Sequence, residues 1–428
     1  MNKIFFIALA GFFISVNVNA QVSERQLNNG SIYSYLGIGS PSDISSPFAA
    51  SMGIQGVAIH DSRLNNLANP AIWSNSYFTN VSGGFSLRAY EATNNMGSQT
   101  NALLQPSHFQ GVLPIDRERI GVSLSLSPIT ESRYQTEIMK VIPGNQNNSG
   151  EDLSYSVQSV GTGGLNRLEL GFGIQLIEGI SFGYAPSLIF GVLENSTSYE
   201  FDDSDYSNIN FSEINSNYGF GNRFGLYLNR RSLLSSNDRA SLGITFNLPV
   251  NLVSESTVES DINQRRIEII PSNEYGDQDV RIPMEGAVGL SYQFNQQWLI
   301  STDVLYQNWS DYKGRNAEQF IDRMKVGIGT NYNAARRSIP GGFFTRFNYR
   351  IGASYDSGNL EINNNNIQTY MITAGLGIPS RRTGSSIDIN FDLGMRGTEA
   401  NELIAERIYG IRVSFNLSEL MFLQRRLD

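Results

Sequence analysis

The chain holds few residues able to do covalent chemistry. It has two histidines, His60 and His108, and no cysteine. A hydrolase needs a nucleophile, a base within hydrogen-bond reach and a third group to orient that base. Ser107 and His108 are adjacent, but neighbours on a strand point to opposite faces. This pair is therefore not expected to act together, no catalytic residue is assigned, and the chain is not expected to be an enzyme. His60 reads as a hydrogen-bonded structural residue. The acids Asp202, Asp203 and Asp205 are close enough to attract a divalent cation, but the calcium-loop pattern is missing. Counting from Asp203, the loop's glycine position holds Asn208 and its closing glutamate position holds Ile214. The run reads as a solvated external loop. No metal and no cofactor are expected.

More informative are apolar side chains on a face that is otherwise polar. In the stretch 297–312, Trp298, Ile300, Val304 and Tyr306 share one face, whereas Leu299, Leu305 and Trp309 fall in register with Ser301, Asp303 and Gln307. Phe344 in 342–356 and Met371 in 367–379 are similarly placed. Hydrophobic-ligand sites are concave, mostly apolar and furnished with a few polar anchors. These five side chains are candidates for lining such a pocket, with Arg346, Arg350 and Arg396 as carboxylate anchors. The same residues would serve equally to pack against an internal segment, and side-chain identity leaves both readings open.

The elements that position these residues show a strand period. From about Tyr77 onward, apolar residues alternate with polar or small ones, and each run ends at Asn, Ser, Asp or Gly. Ile387, Ile389, Phe391, Leu393 and Met395 oppose Asp388, Asn390, Asp392 and Arg396 in one such run. Soluble strands average about 5 or 6 residues; these run to roughly 10 or more, the length that crosses a bilayer at a tilt. The breaks define strands near 77–91, 105–114, 119–141, 151–176, 180–201, 210–230, 238–258, 280–294, 297–312, 321–333, 342–356, 367–379, 385–397 and 404–416. The expected fold is all-β, a transmembrane antiparallel barrel of about fourteen strands, to within about two. It occupies 77–417, and 418–428 is left as a C-terminal tail.

Composition agrees. A net charge of -9 excludes a phosphate-binding surface, and no nucleic-acid partner is expected. Residues 1–20 combine Lys3, an apolar run from Ile4 to Val16 and Val18-Asn19-Ala20, the pattern of a signal peptide cleaved near Ala20. The expected address is the bacterial outer membrane, surrounded by its lipid, with the barrel as a monomer. Residues 21–76 do not alternate and carry Ile54, Val57, Ile59, Leu67, Ile72 and Trp73, too apolar for a solvated leader. They are expected to form a hatch in the lumen.

Two places resemble the long-chain fatty acid transporter (FadL) family of outer-membrane proteins. One is Ala68-Asn69-Pro70-Ala71, preceded by the stretch from Gly53 through Gly56 to Asp61, which is similar to the family's hatch. The other is Pro283, Gly289, Tyr292, Trp298, Asp303, Tyr306, Trp309, Ser310 and Tyr312, similar to the family's hairpin ending in Trp-Ser. The resemblance implies passive uptake of a hydrophobic small molecule, such as a long-chain fatty acid, which leaves sideways through a gap at a kink in the third strand. Pro128 lies in that strand and cannot donate a ladder hydrogen bond. The residues after Phe415, where many such barrels end, bring forward a second reading: a PorV-like adaptor whose partners are type IX secretion proteins. A general porin ranks third.

Overall fold

The structure, a computed structural model, describes residues 29–95, 97–144, 152–203, 205–262, 265–270, 280–336, 342–380 and 384–420. The expected signal peptide, the start of the hatch at 21–28 and the tail from 421 lie outside the described residues.

The alternating runs form a closed antiparallel barrel of 14 strands. Strand β1 (Thr79–Asn94) pairs with β2 (Gly97–Asp116) on one side and with β14 (Ala405–Glu419) on the other, which closes the ring. Four wall strands are broken. These are β3 (Ile120–Pro128, then Tyr134–Ile142), β4 (Leu153–Gly163, then Asn166–Ile177), β7 (Arg239–Asn247, then Val250–Ile262) and β8 (Val280–Ile282, then Glu285–Gln293). The other strands are β5 (Ile180–Phe201), β6 (Ile209–Arg231), β9 (Trp298–Gln307), β10 (Arg323–Asn333), β11 (Asn348–Asp356), β12 (Thr369–Pro379) and β13 (Ser386–Arg396).

The breaks have local causes. Pro128 ends the first piece of β3, and Pro249 and Pro283 sit between the pieces of β7 and β8, each removing a ladder donor. In β4, Gly163 and Gly164 have φ of 109° and 147°, a region that side chains disfavour. Two expected strands are shorter than the alternation suggested. The run 342–356 begins at Asn348, because Phe343–Arg346 is a 3-10 turn, so Phe344 is not on the wall and stands 75% exposed. Strand β9 ends at Gln307, which leaves Trp309 in the 3-10 turn Trp309–Asp311 beyond it. Conversely, β14 runs on to Glu419, absorbing the first residues assigned to the tail.

The two faces divide as the period requires. Phe85, Leu124, Leu170, Ile328 and Leu393 stand exposed on the outside, while Ser86, Gln110, Ser123, Asn390 and Glu406 are buried inside. Apolar groups facing outward and polar groups facing inward suit a wall whose solvent is lipid.

At the break in β3, residues 129–133 turn into the lumen. Thr130–Glu131 pairs there with Ser40–Pro41, and the amide of Ile129 donates to the Leu165 carbonyl at 2.9 Å. The first piece of β3 pairs with β2 only over Phe109–Asp116, and the second piece pairs with β4. Among the described residues, no ladder joins Gly97–His108 of β2 to Tyr134–Ile142 of β3.

The lumen is filled by residues 29–76. They form the 3-10 turn Ile32–Tyr35, the one-turn helix α1 (Pro47–Ala50) and the 3-10 turn Pro70–Asn75. Ser31, Ser46 and Asn69 cap these turns with side-chain oxygens that accept backbone N–H groups. The buried apolar core lies between this segment and the wall. Phe48, Met52, Ile54 and Ile59 cluster against Leu299, and Val57 and Ala68 against Ala287 and Leu305.

Candidate functional site

The segment lies so close to the wall that only glycine fits beneath it. A Cβ at Gly329 would stand 2.2 Å from the Met52 carbonyl oxygen, one at Gly352 2.0 Å from the same atom, and one at Gly243 2.0 Å from the Val57 carbonyl oxygen. Further along, Gly225 faces Asn69 and Pro70, and Gly183 faces the Pro70–Ala71 peptide. Polar side chains fix the register. Asp303 accepts from the Gly56 and Val57 amides at 2.6 and 3.1 Å. Asn69 donates to the carbonyls of Val57 and Leu226 at 2.9 and 3.1 Å. Arg223 pairs with Glu169 and donates to the Ala68 carbonyl at 3.0 Å.

Above this lane, next to the break in β3, lies an internal cavity of about 130 Å³. Ser107, Ser127 and Pro128 line it from the wall, and Pro41, Ser42 and Asp43 from the segment. Its remaining walls are strongly charged. Asp43 sits between Arg323 and Lys325 of β10, at 2.9 and 2.5 Å. Burial pushes the Asp43 carboxyl up, but the two cations outweigh it and hold the group below the usual carboxylate range. Arg323 also grips Asp356, Arg412 pairs with Asp392 at 2.8 Å, and Arg396 reaches Ser31 at 3.0 Å and Glu406 at 3.8 Å. Ser86, which lines the same cavity, is buried with a hydroxyl that has no hydrogen-bond partner among the described residues.

The residues singled out from the sequence scatter around this lumen. Met371 and Arg396 line the charged cavity. Leu299 and Leu305 touch the N-terminal segment. Trp309 stacks on Phe320 at the mouth, 5.4 Å between centroids. Arg350 is buried, pairs with Asp388 at 2.6 Å and lies 4.2 Å over the Phe48 ring, so it braces α1. Arg346 and Phe344 belong to a loop at the end of the barrel that carries both wall termini. Gly53 and Gly56 have φ of 71° and 88° and turn the segment above β10 and β11. The sequence reading did not single out Asp43, Arg323, Lys325, Asp356 or Glu406. Arg323 and Lys325 share the lumen-facing register of β10, a charged pair on an alternating strand that could have drawn notice.

His60 closes the lower end of the segment, its Nε2 3.1 Å from the Asn75 carbonyl oxygen and its Nδ1 3.4 Å from Arg239. Burial, then the Arg239 charge, lowers its pKa, against the weaker opposite pull of Asp61 and Glu118. A group held neutral in the fold supports it fully above its unfolded pKa, about 6.5, and loses that support as pH falls further. Amide exchange over residues 58–64, corrected for its intrinsic pH dependence, is expected to quicken between pH 7.5 and 5.5. H60Q should remove that difference.

Comparison with solved structures relates this barrel to outer-membrane channels. A Pseudomonas aeruginosa FadL homologue matches with a TM-score of 0.56 at 11% identity, over 89% of this chain and 98% of that one. The CymD monoaromatic hydrocarbon channel matches at 0.55 and 14% identity, over 91% and 99%. The Ralstonia pickettii toluene transporter TbuX matches at 0.52 and 13%, over 92% and 99%. Likeness at these identities is one of fold, and the architecture is that of a FadL-type barrel. No curated protein matches the chain. A family model described as BamG matches residues 1–428, and on that full-length match the chain belongs to the BamG family.

Proposed function

We propose that this chain is an outer-membrane channel for passive uptake of hydrophobic compounds, with residues 29–76 as its hatch. The cargo enters at the mouth, rests in the lumen and leaves sideways where β3 breaks at Pro128. The observation that carries this reading is the junction of three features: the unladdered stretch between β2 and β3, the internal cavity beside it, and Pro128 lining both. No covalent step is involved. The arginines around the cavity favour a compound with an anionic head and an apolar tail, such as a long-chain fatty acid, because guanidinium groups pair with carboxylates in a bidentate fork. In this reading Arg396 holds the carboxylate and Met371 lies against the first carbons of the tail. Leu299, Leu305 and Trp309 line the path once the hatch shifts.

The test uses the purified full chain in lipid nanodiscs with tritiated dodecanoate and tritiated sucrose. Retained dodecanoate that R396A weakens at least tenfold, about 1.4 kcal/mol, is the expected result. Free passage of sucrose in liposomes, with neither dodecanoate nor dodecane retained, would overturn the proposal in favour of a general porin.

A further inference from the structure

At the end of the barrel that carries both wall termini, the end that faces the periplasm in an outer-membrane barrel, lies a second cavity, of about 1250 Å³. His60 and Asn75 line it from the N-terminal segment, and Gln175, Arg231, Arg239 and Ser291 line it from the wall. Arg231 ends β6 and Arg239 begins β7, and the two are directly opposite in the antiparallel ladder. Both share the lumen-facing register of Tyr227 and Ser241, whose hydroxyls meet at 3.0 Å. Like charges on directly opposite residues are destabilising, because the Cα atoms of such a pair stand only about 5 Å apart. Two guanidinium groups set this way are costly unless an anion sits between them.

The chain does not supply that anion. Among the described residues neither arginine makes an ion pair. Arg239 reaches His60 Nδ1 at 3.4 Å, a nitrogen that accepts while Nε2 donates to the Asn75 carbonyl at 3.1 Å and so brings no charge. The neighbouring acid, Asp238, is committed elsewhere. It accepts from the Leu233, Leu234 and Ser235 amides at 2.7, 2.7 and 2.9 Å and from the Tyr292 hydroxyl at 2.7 Å. Glu118 and Glu178 also border the cavity, but they belong to the turns before β3 and β5 and pair with neither arginine. The Gln175 amide and the Ser291 hydroxyl border the same space as further donors.

We infer that this cavity is a binding site for a phosphate group, held between the guanidinium groups of Arg231 and Arg239. A carboxylate is filled by one guanidinium fork, whereas a phosphate has oxygens for two. Two sources present that chemistry at this end of the barrel. One is a soluble phosphate or phosphate ester. The other is the head of a phospholipid whose tails pack beside Leu234, which stands 80% exposed on the turn between the two arginines. The site lies at the His60 end of the segment, away from the Asp43 cavity, and owes nothing to the uptake reading.

The facing charges give the test a change of sign. Full-length protein in dodecyl maltoside, freed of phosphate and lipid, is followed by hydrogen exchange over residues 227–241, each variant being checked as a closed barrel by its heat-modifiable mobility. Without ligand, R231Q should exchange more slowly than the parent, because the repulsion is gone. Inorganic phosphate or dihexanoyl phosphatidylglycerol should then slow the parent at least tenfold and leave R231Q and R239Q unchanged, so that the order inverts. Inversion by inorganic phosphate assigns a soluble phosphate, and inversion by phosphatidylglycerol alone assigns a lipid head. R230Q, in the outward register of the same strand, should follow the parent. No inversion with either ligand, or equal slowing of the parent and R231Q, would overturn the site. Loss of the response in R230Q as well would also overturn it, by reducing the effect to diffuse charge.

Discussion

Valine at position 329 is expected to turn a closed barrel into a conducting one. Gly329 and Gly352 are opposite one another on β10 and β11, and the Met52 peptide lies over the pair. A side chain at either position would overlap the Met52 carbonyl, with Cβ to oxygen distances of 2.2 and 2.0 Å. The wall cannot yield, because both strands are laddered along their lengths. The segment must lift instead, pulling Phe48, Met52 and Ile54 out of the cluster they share with Ile59. Ion conductance in planar bilayers should rise at least tenfold for G329V and for G352V. G111V is the control, since a Cβ there meets nothing within 4 Å. A folded, heat-modifiable G329V barrel that conducts no better than the parent would contradict the proposed hatch.

The second large effect concerns Asp43. Removing it as D43A leaves Arg323 and Lys325 facing one another in the lumen, with Asp356 and the Gln307 side-chain oxygen still on Arg323 but the carboxylate they share gone. Breaking a buried ion pair from one side costs about 3 kcal/mol or more, and here the cost falls on the attachment of residues 40–55 rather than on the wall. Hydrogen exchange over those residues should quicken roughly a hundredfold while exchange in β5 and β6 stays unchanged. The pH dependence has a definite sign. Because the folded pKa of Asp43 is lowered, its contribution is complete above the unfolded value of about 3.9 and is lost only as pH falls through the folded one. Mild acid down to pH 5 therefore leaves this attachment intact while weakening the one at His60, so the two ends of the segment respond to different pH ranges.

Much of the wall could be read from residue order because a barrel strand carries its own evidence. Ile387 through Met395 alternate against Asp388 through Arg396, and the same residues divide outward and inward in β13. The even strand number came from the same source. What alternation could not give is where a strand leaves the wall. Residues 129–133 continue the polar and apolar pattern closely enough to pass for strand, and their inward turn depends on pairing with Ser40–Pro41, nearly ninety positions earlier. Phe344 failed for the opposite reason, since a period extended past Asn348 continued into a loop. The charged cavity was hidden because its parts come from many distant stretches between Pro41 and Arg412, and a lone Asp43 among serines carries no period at all. Asn69 and Pro70 stood out through their own chemistry, a capping side chain followed by a fixed φ.

The clasp between Ser31 and Glu406 joins residues 375 positions apart, and this bears on how the molecule is made. Residues 29–76 precede every wall strand in chain order and so emerge before them during synthesis, yet the strand that receives Ser31 is the last of the fourteen. Bringing such distant partners together has a loop-closure cost that grows only as about (3/2)RT ln n, so the span itself is no obstacle. Order is the constraint. Once β1 has laddered onto β14 over Thr79–Glu419 to Thr93–Ala405, the lumen can be entered only by threading through its mouth. The segment must therefore be in place before or while that seam closes, and the zipping of β1 to β14 becomes the step that captures it.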